Sequence, residues 1–276
     1  SDLALAAGVN FIDTAEMYSV PPTAESFGCS ETIVGHWLKR QPRDKIVLAT
    51  KATGPGRGMP WIRDGGLQFN RKNLREALEG SLRRLQTDYV DLYQLHWPDR
   101  NVPMFGQSHF EPKNERPTVP IRETLEALGE LVAEGKVRTI GLSNETPWGV
   151  MQFLQMADEL KLPRVASVQN AFNLLNRTYE MTLTEIGYRE NIALLAYSPL
   201  GFGLLTGKYD VTGIESADAP RGRMSDYDSM KKQRWGRPEA LAAARRYNTL
   251  AREHGLTPTQ FALAFCKSKW QVASTI

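Results

Sequence analysis

Asp13, Tyr18, Lys51 and His96 supply a carboxylate, a phenol, an ammonium and an imidazole, the ingredients of a proton-transfer site. Each has an ordinary reading when taken alone. An Asp at the end of a short apolar run commonly caps a helix or forms a turn. Tyr18 alone would be a core or surface aromatic, Lys51 a surface lysine and His96 a hydrogen-bonded structural histidine. Together they read differently. An unperturbed tyrosine titrates near about pH 10, too high for an efficient acid near neutrality. A neighbouring ammonium favours the phenolate, and a carboxylate can balance that ammonium where water is excluded. A histidine within hydrogen-bond reach can orient a substrate oxygen or relay its proton. No nucleophile stands beside a base, so acyl transfer is not supported. No His, Cys, Asp or Glu cluster has metal-ligand spacing, so no metal is expected. A competing use of Lys51 is Schiff-base formation in a barrel isomerase or aldolase.

The elements that must position these groups alternate along the chain. Strands are predicted over residues 10–14, 45–50, 89–95, 137–142, 165–169, 192–197 and 271–276. Runs such as Ile46-Val47-Leu48-Ala49 are apolar at successive positions, as strands covered on both faces are. Amphipathic helices are predicted over residues 71–85, 121–133, 147–160, 178–190, 238–254 and 257–267, with Gly135 and Gly255 placed to end two of them. Strand–helix alternation with short links implies a parallel sheet with right-handed crossovers. The glycine-rich segments at Gly54 and Gly201 do not fit G-x-G-x-x-G opening a helix, so the dinucleotide fingerprint of an open doubly wound sheet is missing. The predicted fold is therefore α/β, a parallel (β/α)8 TIM barrel, with residues 1–276 forming a single domain. The rhythm begins inside a helix and stops on a strand, so we expect a fragment lacking a first strand and a final helix. In such a barrel, chemistry gathers where strands end, and Asp13, Lys51, His96, Asn144, Gln169 and Tyr197 all fall at or just past predicted strand ends.

Composition narrows the function classes. Of 276 residues, 41% are hydrophobic and 24% charged, which is ordinary for a water-soluble globular chain. The net charge of +3 is small and its basic residues are dispersed, so no nucleic-acid partner is expected. No apolar run reaches the ~20 residues needed to cross a bilayer, so no membrane partner is expected. Two cysteines do not make a disulfide framework, and a reducing, cytoplasmic setting is expected. Cys29 reads as a loop or helix-start residue and Cys266 as core.

Several segments carry a resemblance. Gly8-x-Asn10-x-x-Asp13-Thr14-Ala15-x-x-Tyr18, Gly28-x-Ser30-Glu31-x-x-x-Gly35, Ala49-Thr50-Lys51 and Leu95-His96-Trp97-Pro98 resemble the signatures of the aldo-keto reductase superfamily. So do Gly135-Lys136-Val137-Arg138-x-Ile140-Gly141-x-Ser143-Asn144 and the run from Ala196-Tyr197-Ser198-Pro199-Leu200 to Gly207-Lys208-Tyr209. The likeness extends along essentially the whole chain. Pro21-Pro22, Leu85-Gln86-Thr87-Asp88-Tyr89 and Leu174-Leu175-Asn176-Arg177 look like the bacterial Tas-like branch, related to voltage-gated potassium channel β-subunits.

The resemblance implies an NAD(P)H-dependent enzyme that reduces a small aldehyde or ketone, with NADPH the usual family cofactor. It implies Tyr18 as general acid, Lys51 as its modulator, Asp13 as partner of Lys51, and His96 as the group orienting the carbonyl. Ser143, Asn144 and Gln169 would bond the nicotinamide carboxamide, and Tyr197 would stack on the ring. Ser198, Leu200, Gly203 and Lys208 would hold the pyrophosphate, with Arg221 or Arg223 closing over it. The determinants for the 2′-phosphate of NADPH would follow Ile276. Trp61, Trp97 and Phe105 could line a substrate pocket, or merely cover the barrel rim. A second reading is a cofactor-bound regulatory or interaction protein with little turnover. The complete set of four catalytic residues favours the enzyme. Neither the physiological carbonyl nor the oligomeric state is encoded legibly.

Overall fold

Seven of the apolar runs form strands in the computed structural model, which describes residues 2–107, 109–231 and 234–276. Ser1, Ser108, Lys232 and Gln233 lie outside the described residues. The strands are β1 Phe11–Asp13, β2 Val47–Ala52, β3 Val90–Leu95, β4 Val137–Ser143, β5 Val165–Ala171, β6 Ala193–Tyr197 and β7 Val272–Thr275. Their order through the sheet is their order in the chain. The pairs β1–β2, β2–β3, β3–β4 and β6–β7 are parallel. Strictly sequential order with helices between is the topology of the (β/α)8 barrel. A doubly wound sheet would reverse its order at a switch point. The chain divides into two compact units, one of Ser1–Asn101 and Pro112–Val168, the other of Val102–Glu111 and Gln169–Ile276.

In the first unit the helices are α1 Asp2–Ala6, α2 Cys29–Leu38, α3 Arg71–Leu85, α4 Ile121–Ala133 and α5 Pro147–Leu160. α3 buries Leu74, Leu78, Ser81 and Leu85, a stripe at helical spacing, and starts on the Asn70 side chain, which accepts from the Asn73 backbone N–H. α2 was not among the predicted helices. Its buried face is Glu31, Gly35, Trp37 and Leu38, while Ile33 is exposed, so its apolar pattern is weak. Glu31 is buried because it accepts from Thr50 Oγ1 at 2.5 Å and from Arg84 Nε at 2.7 Å, which ties α2 to β2 and α3. Gly35 is required there: a Cβ would lie 2.2 Å from the Arg84 carbonyl oxygen.

In the second unit the helices are α6 Thr178–Thr182, α7 Thr184–Glu190, α8 Arg223–Asp226, α9 Asp228–Lys231, α10 Pro238–Glu253 and α11 Pro258–Lys267. The single helix predicted over residues 178–190 is two. The break falls at Leu183, with φ −120°, flanked by Thr182 and Thr184, whose hydroxyls bond back to the carbonyls of Thr178 and Tyr179. α11 starts on a reciprocal cap between Thr257 and Gln260.

Candidate active site

The first unit brings the four proton-transfer residues together through strand register. Asp13 ends β1 and pairs with Ala49 on β2. Lys51, two residues further along β2, lies on the same face as Ala49 and pairs with Gln94 on β3. His96 follows Gln94 by two, and its backbone N–H donates to the Ala52 carbonyl. Asp13, Lys51, Gln94 and His96 thus come from neighbouring strands or just past their ends. Lys51 is wholly buried. Its Nζ donates to Asp13 Oδ2 at 2.5 Å and to the Thr14 carbonyl at 2.8 Å. Gln94 Nε2 donates to the other Asp13 oxygen at 3.2 Å.

Tyr18 sits on the loop after β1, half-buried. The Lys51 ammonium is 5.0 Å from its ring centroid, and the His96 ring meets it edge-on at 5.5 Å. The loop is fixed by backbone bonds from Thr14 to Ala49 and from Glu16 to Lys51. Glu16, almost fully buried, accepts from the Thr53 backbone N–H at 3.0 Å and is paired with Arg63. Burial raises the Glu16 carboxyl above the usual range, against the pull of Arg63 and Thr53.

The charges at the centre oppose burial. Burial works against the Lys51 ammonium, but the Asp13 carboxylate first, and Tyr18 after it, outweigh that and hold its pKa above the ordinary lysine value. His96 is pushed well below the ordinary imidazole value by burial and by the positive charges of Lys51 and Arg57. Its Nδ1 is buried with no hydrogen-bond partner among the described residues. The imidazole is therefore neutral at neutral pH. We predict that NMR of the folded protein shows no His96 protonation as the pH falls through about 6.5, where a free imidazole titrates. The sign follows: below that pH the unfolded chain takes up a proton that His96 in the fold refuses, so this contribution to stability is present above about 6.5 and lost on acidification. A His96 resonance titrating at the ordinary value would contradict the geometry.

The remaining first-unit candidates lie close by. Asn144, just past β4, donates from Nδ2 to the His96 carbonyl at 2.9 Å and to Ser143 Oγ at 3.1 Å. Trp97 is fully buried, tilts against the His96 ring at 4.9 Å and spends its indole N–H on the Pro55 carbonyl at 2.9 Å. Trp61 is half-buried, and its Nε1 has no hydrogen-bond partner among the described residues. Cys29 is the first residue of α2 and exposed.

The second unit carries the other candidates. Gln169 lies buried on β5 and Tyr197 ends β6. Phe105 also belongs to this unit, and the Arg234 guanidinium is 5.0 Å from its ring centroid. After Tyr197 the backbone turns through positive φ at Ser198, Gly201, Phe202 and Gly203. Asn173 Nδ2 braces this turn by donating to the Ser198 carbonyl at 2.8 Å. Leu200 accepts backbone bonds from Gly203 and Leu205. Lys208 Nζ donates to the Arg221 carbonyl at 2.9 Å. A Cβ on Gly222 would stand 2.3 Å from that Nζ and 2.6 Å from Tyr209 Oη, so the bare main chain there leaves room for the Lys208 ammonium as it is placed. Tyr209 Oη is itself buried without a hydrogen-bond partner among the described residues. Bare, positively turned backbone beside an ammonium is the chemistry a phosphate needs, so these residues fit a dinucleotide's pyrophosphate. Arg221 is exposed and paired with Asp226, while the Arg223 guanidinium lies 5.6 Å from the Phe202 ring centroid. Cys266 is core, its thiol pushed up to about 11 by burial.

Gln94, Glu16 and Arg63 escaped the sequence reading. Gln94 was findable, because strand residues two apart share a face and it precedes His96 by two. Glu16 and Arg63 are 47 positions apart, and no periodicity links them. Among the described residues no group of His, Cys, Asp and Glu could hold a metal ion, and no helix is long and apolar enough to cross a membrane.

The Aldo/keto reductase family model matches residues 2–276. The chain is 46% identical over 280 residues to Protein tas of Escherichia coli (strain K12), covering all of this chain and 78% of that one. It is 37% identical over 212 residues to the NADH-specific methylglyoxal reductase of the same strain, covering 72% of this chain and 55% of that one. It is 30% identical over 278 residues to the L-glyceraldehyde 3-phosphate reductase of Escherichia coli O157:H7, covering 98% of this chain and 70% of that one.

Proposed function

The chain belongs to the aldo/keto reductase family of NAD(P)H-dependent oxidoreductases, and on that premise we propose that it reduces small aldehydes or ketones with Tyr18 as the proton donor. The observation that carries this reading is the buried Lys51 ammonium, 2.5 Å from Asp13 and 5.0 Å from the Tyr18 ring centroid. Reduced nicotinamide supplies the hydride. Tyr18 Oη gives its proton to the carbonyl oxygen, and Lys51 balances the phenolate that remains. Asp13 and Gln94 keep Lys51 in place. His96, neutral, orients the substrate oxygen. The product is the alcohol, one hydride on carbon and one proton on oxygen.

Cofactor roles follow the resemblance residue by residue. Ser143, Asn144 and Gln169 are assigned to the carboxamide and Tyr197 to the ring face. Ser198, Leu200, Gly203, Lys208 and either Arg221 or Arg223 are assigned to the pyrophosphate. Trp61 and Trp97 are assigned to the substrate wall. The cofactor is read as NADPH, although one relative's name specifies NADH. The Schiff-base alternative for Lys51 is disfavoured because an amine held protonated by Asp13 is a poor nucleophile.

A screen of NADPH and NADH consumption against aldehydes, ketones and quinones tests the reading. Turnover faster with NADPH is expected. A complete lack of turnover with every carbonyl and both cofactors would favour the cofactor-bound regulatory alternative.

A further inference from the structure

The first unit contains a cavity of about 200 Å³ that none of Asp13, Tyr18, Lys51 or His96 lines. It lies by the ends of β3 and β4, against α4 and α5. Phe69, Trp97 and Phe153 give it aromatic walls, with Leu142 and Met156 beside them. An apolar void of about 150 Å³ is enough to take up benzene. A space somewhat larger suits one ring with a small fused or attached group.

One polar group on the cavity lining is incompletely used. Asp99 lines the cavity and is 8% exposed. Its Oδ2 accepts from the backbone N–H groups of Phe69 at 3.2 Å and Val119 at 3.4 Å. Its Oδ1 accepts no hydrogen bond among the described residues and is not fully buried, so it is open to a donor from outside the protein. Full ionic charge is otherwise balanced on the lining, since Arg100 and Glu145 pair with each other. Burial raises the Asp99 carboxyl, against its two backbone donors and Arg116, whose guanidinium, bonded to the Asp99 backbone carbonyl at 2.8 Å, already supplies positive charge nearby.

We propose that this cavity is a second small-molecule site, taking a neutral aromatic ring that carries one N–H or O–H donor directed at Asp99. It adjoins the catalytic centre through Trp97, which forms one wall and also packs against His96 at 4.9 Å.

Indole is the probe, with indene as the isostere lacking the donor. Calorimetric titration of the whole protein should show saturable one-to-one binding of indole, undiminished by saturating NADPH. Indene should bind about tenfold more weakly or worse, because Asp99 then stays unpartnered. Met156→Trp, at a half-buried position on α5, should fill the space and abolish indole binding while the melting temperature holds. The proposal is overturned by no saturable heat, by displacement with NADPH, by indole binding unchanged in Met156→Trp, or by indene binding as well as indole.

Discussion

Tyr18→Phe should lower carbonyl reduction by about 10²–10⁴-fold, the usual worth of a positioned general acid. Affinity for the reduced cofactor should stay within a few-fold. The substitution removes one oxygen and keeps the ring, so the edge-on contact with His96 and the nearby Lys51 ammonium lose little packing. Stability should therefore change little, which separates a lost proton donor from a damaged fold. A Tyr18→Phe protein that keeps half its activity would remove Tyr18 from the mechanism.

Lys51→Met should do more harm, because it strikes both chemistry and fold. Lys51 is fully buried, and its partner Asp13 retains only 5% side-chain exposure. Removing one member of a buried ion pair leaves the other charge uncompensated, at about 3–5 kcal/mol. Gln94 still donates to Asp13 but brings no charge. Activity should fall as well, since nothing then balances the Tyr18 phenolate. His96 offers an independent readout. Lys51 is the second cause, after burial, of its lowered pKa, so its titration in Lys51→Met should move up toward the ordinary value without reaching it. Asp13→Asn combined with Lys51→Met should lose less stability than the two single losses added together, because both charges go at once. Strictly additive losses, with His96 unmoved, would show that Asp13 and Lys51 are not coupled.

The legible and illegible parts of this molecule divide along physical lines. Helices such as α3, α4 and α5 were bounded correctly because their buried positions recur at helical spacing, and Gly135 follows the end of α4. β6, with Leu194, Leu195 and Ala196 all buried, announces itself as a continuous apolar run. α2 did not, because its inner face is built on Glu31, a carboxylate made tolerable only by Thr50 and Arg84 on other elements. The break at Leu183 depends on two threonine hydroxyls, a local competition that hydrophobic patterning does not record. In the site, Asp13, Lys51 and His96 were visible as polar residues closing apolar strands. The Glu16–Arg63 pair was not, since only the folded loop brings residue 63 back to residue 16.

The central claim is hydride transfer to a carbonyl carbon with the proton supplied separately. It is tested most directly by giving the protein NADPH deuterated at nicotinamide C4, in ordinary water, with a carbonyl it consumes. The account predicts deuterium on the carbinol carbon of the product, and solvent-derived hydrogen on its oxygen. An alcohol without cofactor deuterium, or a substrate fixed to Lys51 by borohydride, would contradict it.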